Sequence, residues 1–217
     1  MPSIRNLQDL LVHQLRDLYS AEKQLVAALP KLAKQTTSAE LEAAMTSHLK
    51  ETTAQVGRLE QVFEHLGVPG RGPKCKAMEG LVEEGKAMLE EDIEPNVLDA
   101  GIIASAQRME HYEIASYGTA AEFARVLGHE EVMHLLRQSL DEEKSANETL
   151  TQLAEGGINA LAQQDGGVSA YADADDTRVA VEEAEAEADV KRASSRVARK
   201  DVATPGAPGS RSGVRRR

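Results

Sequence analysis

Two glutamates three residues apart, Glu110 and Glu113 in ASAQRMEHYEIASYG (residues 104–118), fall where a packed helix would carry apolar side chains. Read at alternating steps of three and four, the surrounding stripe is Ile103, Ala106, Glu110, Glu113, Tyr117, Ala120, Ala124 and Leu127. The pattern recurs elsewhere. Glu22 interrupts the stripe Leu11, Leu15, Leu18, Leu25, Leu29, Leu32, and Glu143 stands among Val132, Leu136, Leu140, Asn147 and Leu150. Glu51 lies beside the stripe Leu41, Met45, His48, Thr52, Gln55, Leu59, Val62, Leu66. An unpaired buried carboxylate costs several kcal/mol in lost hydration. Five in one core would repel one another unless something cationic sits between them, and no Lys or Arg occupies the stripe positions near the acids. A pair of bound metal ions resolves the conflict, and carboxylates from four helices, some spaced three apart, are how a bundle builds a dinuclear site.

Taken singly, Glu51, or Glu143 beside Glu142, reads as a solvated flanking residue. The recurrence on four segments favours ligation. His48, one turn before Glu51 on the same face, is either a ligand or a residue supporting one. Tyr117 reads as packing that could also hydrogen-bond a ligand carboxylate, while Tyr19 and Tyr112 read as packing alone. His13, His65, His111, His129 and His134 fit no ligand spacing and are assigned to the surface or to caps; Cys75 is assigned to packing rather than to a reactive thiol.

The elements that must position these residues are helical. Apolar periodicity predicts four long helices, over about residues 3–35, 38–66, 96–127 and 129–155, the last closed by Gly156 and Gly157. A shorter helix, about 77–92, follows the turn-rich GVPGRGPKC, and strand patterns are essentially absent. The expected fold is therefore all-α, an antiparallel four-helix bundle with a short extra helix between the second and third long ones, spanning residues 1–162. Residues 163–217 read as a low-complexity tail, acidic then basic, largely disordered with one exposed helix around 176–200.

Composition agrees. Hydrophobic residues make up 41% of the chain and aromatics only 3%, with no Trp, so the core must be built from Leu, Ala, Val, Ile and Met. A lone cysteine excludes an intramolecular disulfide framework. With neither a signal-type apolar run nor a membrane-length one, the expectation is a soluble cytoplasmic protein. The whole chain carries −11 and residues 190–217 carry +8, from nine Lys or Arg and one Asp, so the first 189 carry −19. Such a body suits gathering cations, and such a tail could hold nucleic acid by charge alone or simply solubilise.

Together, LRDLYSAEKQLVAALPKLAK, HLKETTAQVGRLEQVFEHLG, GPKCKAMEGLVEEG, EHYEIASYG and LDEEKSANETL make residues 3–162 resemble the ferritin-like superfamily, specifically the bacterial YciE/YciF-type stress proteins. The resemblance implies a four-helix bundle holding two iron or manganese ions, a homodimer, and a stress-linked role whose activity is unsettled. It implies that Glu22 is the first-helix ligand, Glu51 the second-helix glutamate, Glu110 and Glu113 the paired third-helix carboxylates, and Glu143 the fourth-helix glutamate. The chain departs from the usual Glu-x-x-His of helices two and four, since Ala54 and Ala146 stand three residues after Glu51 and Glu143. His48, Gln55 or Asn147 is left to complete an oxygen-rich shell. Three functions follow: a di-metal oxidase or peroxidase, a non-catalytic metal-sequestering protein, or a helical interaction scaffold.

Overall fold

Side chains that accept the first free backbone N–H groups set where the helices begin. The Asn6 side chain accepts from the Asp9 N–H at 2.8 Å and starts α1 (Leu7–Gln35). Ser38 accepts from Leu41 and starts α2 (Ala39–Leu66), which ends at Gly67 in the left-handed conformation, φ 65°. The thiol sulfur of Cys75 accepts from Met78 and starts α3 (Lys76–Leu89). Pro95, whose missing N–H costs nothing in a first turn, opens α4 (Pro95–Val126). A turn through Gly128, φ 77°, leads into α5 (Glu130–Leu153). The computed structural model describes residues 3–165. The exposed helix expected around 176–200 and the basic tail lie outside them.

The fourth long helix is interrupted at the glycine pair as expected, in a π turn over Ala154–Ile158. Beyond the kink the chain adds a short helix that the periodicity did not show, α6 (Asn159–Asp165). Gly157 takes φ 154°, which a side chain would resist, and this kink returns buried Ile158 to the core.

Three-residue links join α1 to α2 and α4 to α5 as antiparallel hairpins. The hairpins pack through α1 against α4 and α2 against α5. Two apolar clusters fix the directions. One gathers the start of α1 (Leu11, Leu15, Leu18), the end of α2 (Leu59, Val62, Phe63), the end of α4 (Ala120, Ala124) and the start of α5 (Val132, Leu136). The other gathers the end of α1 (Leu25, Leu29, Leu32), the start of α2 (Leu41, Met45), the start of α4 (Ile102, Ala106) and Leu150 of α5. Neighbouring helices are therefore antiparallel throughout, while diagonal α2 and α4 run the same way. The connection between those two must return the length of the bundle, and it carries α3, packed on α1 and α4. Asp99 of α4 clamps the α1–α2 link, accepting from the N–H of Thr37 (2.8 Å), the Thr37 hydroxyl (2.6 Å) and the N–H of Ser38 (2.8 Å).

Among the described residues, no helix is long and apolar enough to cross a membrane.

Candidate metal centre

Between the two apolar clusters the core turns polar. At mid-length of each long helix the buried side chains are Glu22 on α1, His48, Thr52 and Gln55 on α2, Glu110 and Glu113 on α4, and Glu143 on α5. The four glutamates named here expose at most 1% of their surface. Helical spacing places them there: each acid continues an apolar stripe and so points where its Leu or Ala neighbours point.

His48, Glu110, Glu113 and Glu143 each offer a ligand atom such that all four atoms lie within 4.8 Å of one another. The His48 ring stands between several carboxylates. Its Nε2 is 3.1 Å from Glu110 Oε1 and 3.9 Å from Glu143 Oε2, and its Nδ1 is 3.6 Å from Glu51 Oε2. Neither nitrogen makes an aligned hydrogen bond. Glu22 and Glu51 fall outside this foursome. Glu22 is sealed in the same layer, its Oε1 accepting from the Tyr117 hydroxyl. Glu51, beside its stripe rather than on it, is 44% exposed at the side chain and sits at the rim.

The electrostatics are those of a cavity short of positive charge. Burial pushes the Glu22 carboxyl up to about 8, against the Tyr117 hydrogen bond and the nearby His48, which pull it down. Burial likewise holds Glu113 well above the ordinary carboxylate range, reinforced by Glu22, Glu143 and Glu110. Glu143 is raised well above it too, first by burial and then by Glu110. For His48, burial favours the neutral ring, but the carboxylates of Glu110, Glu51 and Glu143 outweigh it and raise the imidazole well above its usual value.

Eight buried side-chain atoms here have no hydrogen-bond partner: Glu22 Oε2, both His48 ring nitrogens, Gln55 Oε1, Glu110 Oε2, both Glu113 oxygens and Glu143 Oε2. Each such oxygen costs about 1–3 kcal/mol, and more when charged, while the His48 nitrogens keep only their ionic contacts to Glu110, Glu143 and Glu51. Their chemistry, carboxylate oxygens with one imidazole, suits a hard or borderline cation. The group could hold a metal ion.

Sequence reasoning missed Arg58. It lies one position off the α2 stripe yet is buried, donating to both oxygens of Glu142 (2.8 and 2.9 Å) and to the Ser139 hydroxyl (2.7 Å). The signal available was Glu142, a second acid beside Glu143 that needed its own partner. Gln55 donates to Glu143 Oε1 and to Glu142 Oε2 (3.2 Å), tying this ion pair to the centre. Asn147 instead faces Gln107. Tyr112 does more than pack: its hydroxyl donates to Asp17 and lies 3.1 Å from the Cys75 sulfur. Cys75 is buried and caps α3. Of the remaining histidines, His13, His65, His111 and His134 are exposed and His129 precedes α5, its ring 2.7 Å from Gln8.

This chain is similar to proteins of known sequence and structure. It is 44% identical over 162 residues to Protein YciF of Escherichia coli (strain K12), covering 74% of this chain and 98% of that protein. The crystal structure of the E. coli stress protein YciF matches with a TM-score of 0.70, over 72% of this chain and 99% of that one. The YcfI protein of Rhodopseudomonas palustris matches at 46% identity with a TM-score of 0.67, over 69% and 95% of the two chains. At 23% identity, the XCC3681 protein of Xanthomonas campestris pv. campestris shares the fold, with a TM-score of 0.61 over 74% and 99% of the two chains. Residues 6–163 match the family described as "Domain of unknown function (DUF892)", and the chain belongs to that family.

Proposed function

We propose that the polar layer binds two iron or manganese ions and that the protein works as a dinuclear metal-binding protein of the stress response. The observation that carries this reading is the set of eight unpartnered buried atoms on Glu22, His48, Gln55, Glu110, Glu113 and Glu143. Protons alone would leave most of those lone pairs unused, whereas cations between the carboxylates use them. Similarity to YciF, described as a stress protein, supports the biological setting.

In this reading Glu110 and Glu113, on adjacent turns of α4, are placed to serve both ions. Glu22, Glu143 and His48 complete the set from the other three helices, and Glu51 turns in from the rim. Tyr117 orients Glu22, and Gln55 orients Glu143. The apolar clusters close both ends of the layer to water. When bound, such ions supply one-electron chemistry toward peroxide or dioxygen. Sequestration without turnover is the second reading, favoured by the single imidazole among oxygen donors.

Metal analysis of the purified protein tests the proposal. The expected content is about two ions per chain, as in other carboxylate bundles, falling to background when Glu110→Gln and Glu113→Gln are combined. Unchanged content in that double variant would refute the assignment.

A further inference from the structure

The polar layer is closed on most sides. Glu22, Glu113 and Glu143 expose 0% of their surface, Tyr117 also exposes 0%, and the two apolar clusters cap the layer above and below. On the face between α2 and α5, however, a cavity of about 120 Å³ reaches inward. Its walls are small residues of both helices, Ala44 and Ser47 on one side and Ser145, Ala146 and Thr149 on the other. Its inner wall is His48 and Glu110, and Glu51 borders it with a side chain 44% exposed. His48 is 6% exposed, with neither ring nitrogen in an aligned hydrogen bond, and Glu110 Oε2 has no partner either. Both are polar groups more than nine-tenths buried that border the opening.

Ala146 is the informative wall. It stands one turn after Glu143 on α5, where a larger side chain would project toward His48 and fill the space. With alanine there, the cavity of about 120 Å³ has room for several waters. The donors also form a graded series, from half-exposed Glu51, 3.6 Å to His48 Nδ1, to His48 Nε2, 3.1 Å to buried Glu110 and 3.9 Å to buried Glu143. A hydrated divalent cation sheds water only as other donors replace it. A carboxylate at the mouth followed by an imidazole and further carboxylates provides those replacements one at a time.

We infer that the α2–α5 cavity is the port through which divalent cations reach the polar layer, with Glu51 as the first carboxylate they meet and Ala146 keeping the passage open. The inference rests on the metal-binding reading above and adds the route, which that reading leaves open. It assigns Ala146 a role in the rate of loading and none in the final affinity.

The test is stopped-flow mixing of metal-free full-length protein with Co²⁺, whose visible absorption reports coordination, for the wild type, Ala146→Leu and Thr149→Leu. Thr149 lies on the exposed rim, so its variant folds even if Ala146→Leu does not. Equilibrium loading of each variant should match the wild type, while uptake slows by about tenfold or more. Variants that load to the wild-type level at the wild-type rate would overturn the port and leave the metal site standing. A wild-type protein that takes up no Co²⁺ or Mn²⁺ at equilibrium would overturn both.

Discussion

The hydroxyl of Tyr117 donates to Oε1 of Glu22 from across the core, α4 to α1, and neither residue exposes any surface. This hydrogen bond is the one fixed partner of a carboxylate whose other oxygen has none. Tyr117→Phe should therefore destabilise the metal-free protein by about 1–3 kcal/mol. In a chain of this size that is a fall of roughly 2–4 °C in melting temperature per kcal/mol. If Glu22 is a ligand, the same change should weaken metal binding about tenfold or more, as loss of a ligand's supporting partner does. Calorimetry with and without Mn²⁺ measures both; a variant that melts and binds like the wild type removes Tyr117 from the site.

Stability should fall with rising pH in the metal-free protein. Glu22 sits near 8 when folded against an ordinary 4.5, and Glu113 and Glu143 are raised in the same sense. The folded state then holds more protons than the unfolded state between those values. The stabilisation is fully present below about pH 4.5 and is lost as pH rises through about 8. His48, also raised, pushes the same way. Bound metal competes with these protons and reverses the slope. Urea midpoints measured from about pH 5 to pH 8, with chelator and with Mn²⁺, should diverge as pH rises; parallel curves would show that the buried acids do not meet the ion.

Redox turnover has its own test. Protein loaded with ferrous iron without oxygen and given one equivalent of peroxide should develop ferric absorption about tenfold or more faster than the Glu110→Gln, Glu113→Gln double variant under the same conditions. Equal rates would leave sequestration as the function.

Asp99 offers a prediction away from the centre. Its buried carboxylate satisfies two backbone N–H groups and a hydroxyl in the α1–α2 link. Asp99→Ala strands all three donors and should cost roughly 2–4 kcal/mol, read from a denaturant melt, while metal content stays as in the wild type. Loss of metal with no loss of stability would be the contrary result.

The helices and the buried acids were legible in the sequence because period alone decides which way a helical side chain points. Glu22, Glu110, Glu113 and Glu143 continue stripes of Leu and Ala, and all four are buried. Positions one step off a stripe were not legible, since one residue turns a helix by about 100° and side-chain length decides the rest. Glu51 swings to the rim, whereas Arg58, equally off-stripe, lays its stem along the core and buries its head against Glu142. The glycine pair at 156–157 was legible as a break, and Gly157 makes it, but the short helix beyond was not, because only the folded core shows that Ile158 has a surface to cover. Cys75 went unseen as a cap because sulfur is a weak acceptor rarely used there.

The polar layer has a consequence for how the four helices find their alignment. Apolar contacts are forgiving: Leu against Leu packs nearly as well one turn up or down. Sliding α4 by a single turn would push Glu110 into the apolar cluster of Met45 and Leu25, or bring Tyr117 to the level that Glu113 holds. The acids thus act as index marks, since one axial setting alone brings Glu22, His48, Glu110, Glu113 and Glu143 to the same level. A bundle with leucine at all these positions should hold together more tightly and know less well where its helices belong.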